Sequence, residues 1–472
     1  MQKSRYMAAL MAFFFAFGLI MPGYATAITI FEEKKLWDEF YQTLSQQYTI
    51  IDDPVINRYV NGLGKKILAA APPQPFEFHF HVIREDAINA FAAPAGHIFV
   101  FSGLFAIMEN EDELAGILSH EIAHATCRHI STMIEQSKKT NMLTLAGIAA
   151  GILVGLGGAA SAGSALTFGS LATGQSISIA YTREHEMQAD QIGRTYLEKA
   201  GYSVYGLINA LKSIRSREWF GKESVPAYLM THPATGDRIV YLDNLVKGKK
   251  APTPVKSYVF DLARARLIGM YESIDTAAAR LSDMLAKDPE NPAVLYGYGL
   301  VLTRKGKFEK GASMIQKALK IKDDPVMRIE LGRIAYLSGK TDQAVEILTA
   351  IPGLERLGPF GLVYLARALL DKKKVPAAVL ICEKLLAAYP ENAQGLYVCG
   401  RAFGSYGDMA NAHFYLGKYY AKTGDIANAI FHFNQALAAT TDDGRKKEIE
   451  KLLSDLSHRR RQPVRRTDEV GM

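Results

Sequence analysis

Cysteine is scarce in these 472 residues: Cys127, Cys382 and Cys399 are the full set, and an odd number rules out a fully paired disulfide framework. None stands beside the apolar N-terminal run, which argues against lipid attachment there. Charge of one sign is scarce as well. Of the formal +7, Lys3 and Arg5 supply two units, and the end from His458, with five Arg against one Asp and one Glu, supplies three. The body between them is nearly neutral, and without a basic face on a folded domain no nucleic-acid partner is expected. Arg459-Arg460-Arg461 and Arg465-Arg466 read as a solvated, disordered end, with peripheral contact to anionic lipid as the alternative. Composition also excludes long disordered stretches, since 49% of residues are apolar and 22% charged. The length exceeds one comfortable core and calls for two domains.

What is present begins with a tripartite N-terminus. Lys3 and Arg5 precede an apolar run from Tyr6 to Met21; Pro22-Gly23 breaks it, and Ala25-Thr26-Ala27 offers small residues for cleavage. This is the pattern of a signal peptide over residues 1–27, removed after about Ala27. The run falls short of the ~20 residues a spanning helix needs, although an uncleaved anchor is the other reading. The mature chain is expected outside the cytoplasm.

Residues 28–250 mix two periodicities. Trp37 to Tyr48 and Pro54 to Ala70 repeat apolar residues near a period of 3.6, as helices do. Phe76, Phe78, Phe80 and Val82 alternate with Glu77, His79 and His81, which predicts a half-buried strand with its histidines on the solvated face. Ala90-Phe91-Ala92 and Ile98-Phe99-Val100-Phe101 flank Pro94-Ala95-Gly96 and predict a hairpin. Asn110 and Glu113 open an amphipathic helix through Leu114, Ile117, Leu118 and Ile122. Leu143 to Ala160 is nearly all apolar but strewn with Gly and Ala; it predicts a loop or helical hairpin over the site, the alternative being a membrane segment.

Residues 251–457 carry helices only. Small residues recur at Ala265, Gly299, Gly332, Ala366 and Gly400, separated by 34, 33, 34 and 34 positions. A second small position follows each at twelve, at Ala277, Gly311, Ala344, Ala378 and Ala412, with turn glycines at Gly306, Gly339 and Gly407. This register resembles the tetratricopeptide repeat, in five or six units between Lys256 and Leu456. An irregular helical bundle would not hold it. Cys382 and Cys399 then fall on facing helices of neighbouring repeats and are expected to form a disulfide in an oxidising compartment. The fold class is therefore mostly α: an α+β domain with a small sheet, then an all-α solenoid, then a basic end over 458–472.

His120-Glu121-Ile122-Ala123-His124 lies inside the predicted helix, where residues at i and i+4 share a face. Two imidazoles so placed grip one zinc, and Glu121 beside them serves as general base. A third protein ligand is needed. Glu186 and Asp190, again four apart, offer a ligand and a group to receive the outer N–H of a ligand histidine. Glu184 and His185 fall on other faces of that helix. Cys127 is expected as a buried thiol.

His-Glu-x-x-His followed by Arg183-x-x-Glu186-x-x-Ala189-Asp190 resembles the HtpX and CAAX-prenyl-protease family of gluzincin metallopeptidases, as does the stretch from Asn89-Ala90-Phe91 to Gly103-Leu104. Pro94-Ala95-Gly96 departs slightly from that family's Pro-Gly-Gly. The resemblance implies one zinc per chain held by His120, His124 and Glu186, with Asp190 and Arg183 supporting the ligands. It also places His232, in Thr231-His232-Pro233, near the metal, either stabilising the reaction or plugging the site at rest. With a signal peptide before it and repeats after it, the chain resembles periplasmic members that degrade stalled outer-membrane proteins and help others mature. Their polytopic relatives' prenylated substrates are not implied.

Of the other histidines, His97 and His129 have no partner legible in the sequence, and His413 and His432 fall in the repeats as structural residues. Two functions remain open. One is an endopeptidase acting on unfolded or misassembled polypeptide, a substrate strand pairing with the edge near Ala92-Ala93. The other is a chaperone or assembly factor for outer-membrane proteins, whose repeat groove binds the assembly machinery, with proteolysis secondary or silenced. Glu121 favours the first, because a scaffold needs no base.

Overall fold

The computed structural model describes residues 28–139, 181–220 and 226–461. The expected signal peptide, the Gly-rich run from Leu143 to Ala160 and the end beyond Arg461 lie outside the described residues. Among the described residues no helix is long and apolar enough to cross a membrane.

Helix α1 spans Ile30–Gln47, opened by a capping box between Thr29 and Glu32. Helix α2, Pro54–Leu68, takes Asp53 as N-cap and Pro54 at its first position. A three-stranded sheet follows: β1 (His79–Ile83), β2 (Ala90–Ala93) and β3 (His97–Phe101), in the order β1-β3-β2. β2 and β3 form the expected antiparallel hairpin, whereas β1 runs parallel to β3. The link is the tight turn Pro94–Gly96, in which Ala95 adopts φ 58° and Gly96 φ 82°. Only Gly adopts that region without steric cost, so Ala95 is a mildly strained choice there.

Period 2 sends the two sheet faces to different cores. Phe80, Val82, Ala92, Ile98 and Val100 join the main core, while Ile83, Phe91, Phe99 and Phe101 pack under α1 with Leu36, Phe40 and Leu44. Here the expectation of solvated strand histidines fails. Trp37 of α1 lies flat on His97, ring centres 3.4 Å apart, and His81 Nε2 meets His97 Nδ1 at 3.0 Å. A helix covering the second face was not legible from the strand alone. Burial pushes His81 down to about 4 and His97 to about 3, so this stack is neutral.

The chain continues through α3 (Ser102–Ile107), α4 (Glu111–Thr126), α5 (His129–Lys139), α6 (Arg183–Lys199), α7 (Val204–Phe220), α8 (Ala227–Thr231) and α9 (Thr235–Leu245). Helix α4 is the centre of this half. It is buried on every side from Asp112 to Ala125 rather than amphipathic, because α6, α7, the sheet and α2 all pack on it. Close approach requires glycine: a Cβ on Gly206 would stand 2.1 Å from the Asp112 carbonyl oxygen.

From α10 (Tyr258–Tyr271) to α21 (Asp443–Arg461) the chain forms six antiparallel helix pairs, the upper end of the expected count. The last helix continues to Arg461. Cys382, on α17 (Val375–Ala388), and Cys399, on α18 (Ala393–Tyr406), do face each other across neighbouring repeats. They are free thiols, however, not the expected disulfide, and fill the seam as small apolar side chains. Cys127, at the C-cap of α4, is half-buried rather than buried.

The N-terminal half and the solenoid share one core. Phe260 of α10 packs on Tyr59 and Phe105, and Arg266 reaches back to Asp53 at 2.7 and 2.9 Å, with Tyr271 donating to the same carboxylate at 3.1 Å. His413 and His432 meet between two repeat helices, Nδ1 to Nδ1 at 2.8 Å.

Candidate metal centre

Helix α4 presents His120, Glu121 and His124 at its C-terminal half, all buried. Helix α6 brings in Glu186. Thr182 caps α6 by accepting from the His185 N–H, which sets Glu186 in the first turn, where the helix dipole favours a carboxylate, and Asp190 one turn later. Gly193 lets the helices close: a Cβ there would stand 2.8 Å from the Ser119 carbonyl oxygen and 3.2 Å from the His120 Cα. His232 ends α8, and Ala234, at φ 58°, turns the chain sharply into α9.

These elements converge. One ligand atom each from His120, His124, Glu186 and His232 lies within 4.8 Å of the others. His120 Nε2 and His124 Nε2 are 2.9 Å apart. Glu186 carries oxygens 3.5 Å from His120 Nε2 and 3.3 Å from His124 Nε2, and lies 3.0 Å from His232 Nδ1. Glu121 Oε1 stands 3.6 Å from His232 Nε2, and both Glu121 oxygens are buried without a hydrogen bond. Such orphaned donors and acceptors around one point suit a cation or substrate at that point.

The ring of contacts behind them fixes each group. His120 donates from Nδ1 to Asp190 at 2.9 Å, which turns Nε2 toward the centre. Arg238 takes Asp190 in a fork, 2.7 Å at each oxygen, and reaches Glu186 at 2.5 Å. Burial and the Arg238 cation oppose protonation of His120, but Asp190 and Glu186 prevail and raise it to about 9. Burial alone would raise Asp190; Arg238 and His120 hold it at about 2. Burial raises Glu121 and outweighs the neighbouring imidazoles. Tyr181 stacks on His124, centres 3.8 Å apart, and Tyr228 on His232 at 4.2 Å.

Two residues were missed from the sequence. Arg238 carries no motif signal beyond its position six residues after His232. His129, which has no legible partner in the sequence, meets His124 Nδ1 at 2.8 Å and the Gln188 amide oxygen at 2.9 Å. One expectation is overturned: Arg183 does not support the ligands but lies three-quarters exposed, 3.9 Å from Asp237. The cation beside Asp190 and Glu186 is Arg238, because Arg183 starts α6 on its outward face. Glu184 is exposed, and His185 stacks on His129 at 4.4 Å.

Residues 51–246 match the model of Peptidase family M48. Residues 272–325 and 410–443 match tetratricopeptide repeat models. The "Beta-barrel assembly-enhancing protease" of Yersinia pestis is 28% identical over 78% of this chain and 76% of its own length. The "Putative beta-barrel assembly-enhancing protease" of Vibrio cholerae is 32% identical over 63% of this chain; the chain spans 62% of it, less than two thirds. "Mitochondrial metalloendopeptidase OMA1" of Schizosaccharomyces pombe is 28% identical over 44% of this chain and 59% of its own length. The N-terminal half is thus a metalloendopeptidase domain, with tetratricopeptide repeats behind it.

Proposed function

We propose that the chain is a zinc endopeptidase of the bacterial periplasm that cleaves misfolded or stalled outer-membrane proteins, its repeats holding substrate or assembly partners. The convergence of four buried donors beside the unpartnered Glu121 carboxylate carries this reading. Imidazole and carboxylate form a donor set suited to zinc, with His120, His124 and Glu186 as its ligands, one ion per chain. Zinc so held supplies Lewis acidity toward the scissile carbonyl and the attacking water. Glu121 takes the proton from that water and returns it to the leaving nitrogen, and burial raises its affinity for that proton. Asp190 and Arg238 orient His120 and Glu186 without touching substrate. The proposed division is 1–27 signal peptide, 28–250 peptidase, 251–457 repeats and a basic end after 458. The signal-peptide pattern supports secretion, and the bacterial relatives' names point to β-barrels, which are outer-membrane proteins.

Glu121→Gln tests the chemistry. The variant is expected to fold and keep its metal while losing at least a hundredfold in casein cleavage; undiminished cleavage removes the assignment. In the same reading His232 closes the donor group at rest, being buried against Glu186 and beside Glu121. His232→Ala is then expected to raise basal cleavage severalfold, whereas lost cleavage with metal retained assigns it to the reaction instead. A silent scaffold is disfavoured, since it has no use for a buried, unpaired carboxylate.

A further inference from the structure

The repeats set an arginine at one step three times. Arg333, Arg367 and Arg401 are spaced 34 residues apart, and each directly follows a small residue, Gly332, Ala366 or Gly400. A Cβ on Gly332 would meet Leu348 at 2.5 Å, and one on Gly400 would meet Leu416 at 2.7 Å, so these positions face the second helix of their own repeat. The next residue lies about 100° further round, outside that contact. The three arginines therefore share one face of α14 (Pro325–Leu337), α16 (Pro359–Asp371) and α18, which touch in succession. Contacts between rungs agree. Arg333 bonds the Tyr364 hydroxyl, and Arg367 lies over the Tyr364 ring at 5.3 Å. Tyr364 meets Tyr336 at 5.7 Å, and both Arg367 and Arg401 act on the Tyr336 hydroxyl. Where this face meets α2 there is a cavity of about 150 Å³ walled by Arg266, Arg333, Phe360, Tyr364 and Gln394.

The charges on this face are unequally matched. Arg266 is held by Asp53, and Arg333 by Glu330 at 2.6 Å. Arg367, half-buried on its ring, and Arg401, exposed, have no carboxylate at ion-pair distance among the described residues; the nearby Asp371 bonds Tyr336. We propose that this face binds an extended acidic polypeptide segment, whose carboxylates Arg367 and Arg401 take while the tyrosine rings support its backbone. Guanidinium forks match carboxylates in pairs of hydrogen bonds. Packed helices stand about 10 Å apart and an extended chain advances about 3.3 Å per residue, so acids three apart address successive rungs. A nucleic acid or a bilayer asks for a broad basic face, which the nearly neutral body lacks. The proposal rests on the repeats being the part that holds partners.

The test uses the full mature chain carrying Glu121→Gln, so that no peptide is cut. A fluorescein-labelled peptide with Glu at every third position is titrated by anisotropy, against its Gln counterpart and a scramble with contiguous Glu. The acidic periodic peptide is expected to bind at least tenfold more tightly than the Gln peptide. Arg367→Glu with Arg401→Glu is expected to remove at least tenfold of that affinity at an unchanged thermal midpoint, and Arg367→Lys to give an intermediate loss. Equal binding of Glu and Gln peptides overturns the proposal, as does a double variant that binds like the parent. Tighter capture of single-stranded DNA or anionic vesicles than of the peptide overturns it as well. Casein cleavage by the unmodified enzyme reports on the peptidase reading separately, so either can fail alone.

Discussion

His129 extends the candidate metal centre beyond its converging donors. His124 points Nε2 at the centre, so its Nδ1 must carry the proton and donate to His129 Nδ1, whose own Nε2–H then donates to Gln188. This is a second arm matching Asp190 and Arg238 behind His120, built from neutral groups. His129→Ala is expected to weaken zinc binding by about 10–100-fold, read by competition with a chromophoric chelator. His129→Gln, which can still accept the proton, is expected to recover part of the loss; wild-type affinity in the Ala variant would discard the arm.

Helices α4 and α6 make the centre only because they can touch. Gly193 faces backbone atoms of Ser119 and His120, and backbone cannot step aside as a flexible side-chain end does. Gly193→Ala therefore pushes α6 outward, carrying Glu186 and Asp190 with it. The expected result is about 1–3 kcal/mol lost in urea unfolding together with a fall in zinc affinity. A variant that loses neither would show that the helix contact is slack. The glycine stands three residues after Asp190 in an ordinary helical run, and nothing in that run marks it as a contact.

At the scale of the whole molecule, the solenoid is an extension of the peptidase core. Asp53 caps α2 through the Val55 and Ile56 N–H groups and neutralises Arg266 of the first repeat, with both charged groups buried. Asp53→Ala leaves that guanidinium buried and unpaired. A loss of about 3–5 kcal/mol in unfolding free energy is expected, because stranding one partner of a buried pair costs far more than the pair is worth. An unchanged urea midpoint would mean that the Asp53–Arg266 pair adds nothing to the joint between the halves.

Local pattern determined much of this protein. The i,i+4 pairs His120/His124 and Glu186/Asp190 need only helical periodicity to share a face, and the 34-residue register needs only repeated small residues to predict paired helices. The β2–β3 hairpin was legible from its turn residues. What the sequence could not hold was which distant surfaces meet. Arg238 rather than Arg183 stands behind Glu186 and Asp190, Trp37 covers the strand histidines, and His129 backs His124. Each of these depends on the packing of elements far apart in the chain, and period along one element says which face is turned inward but not what it meets there.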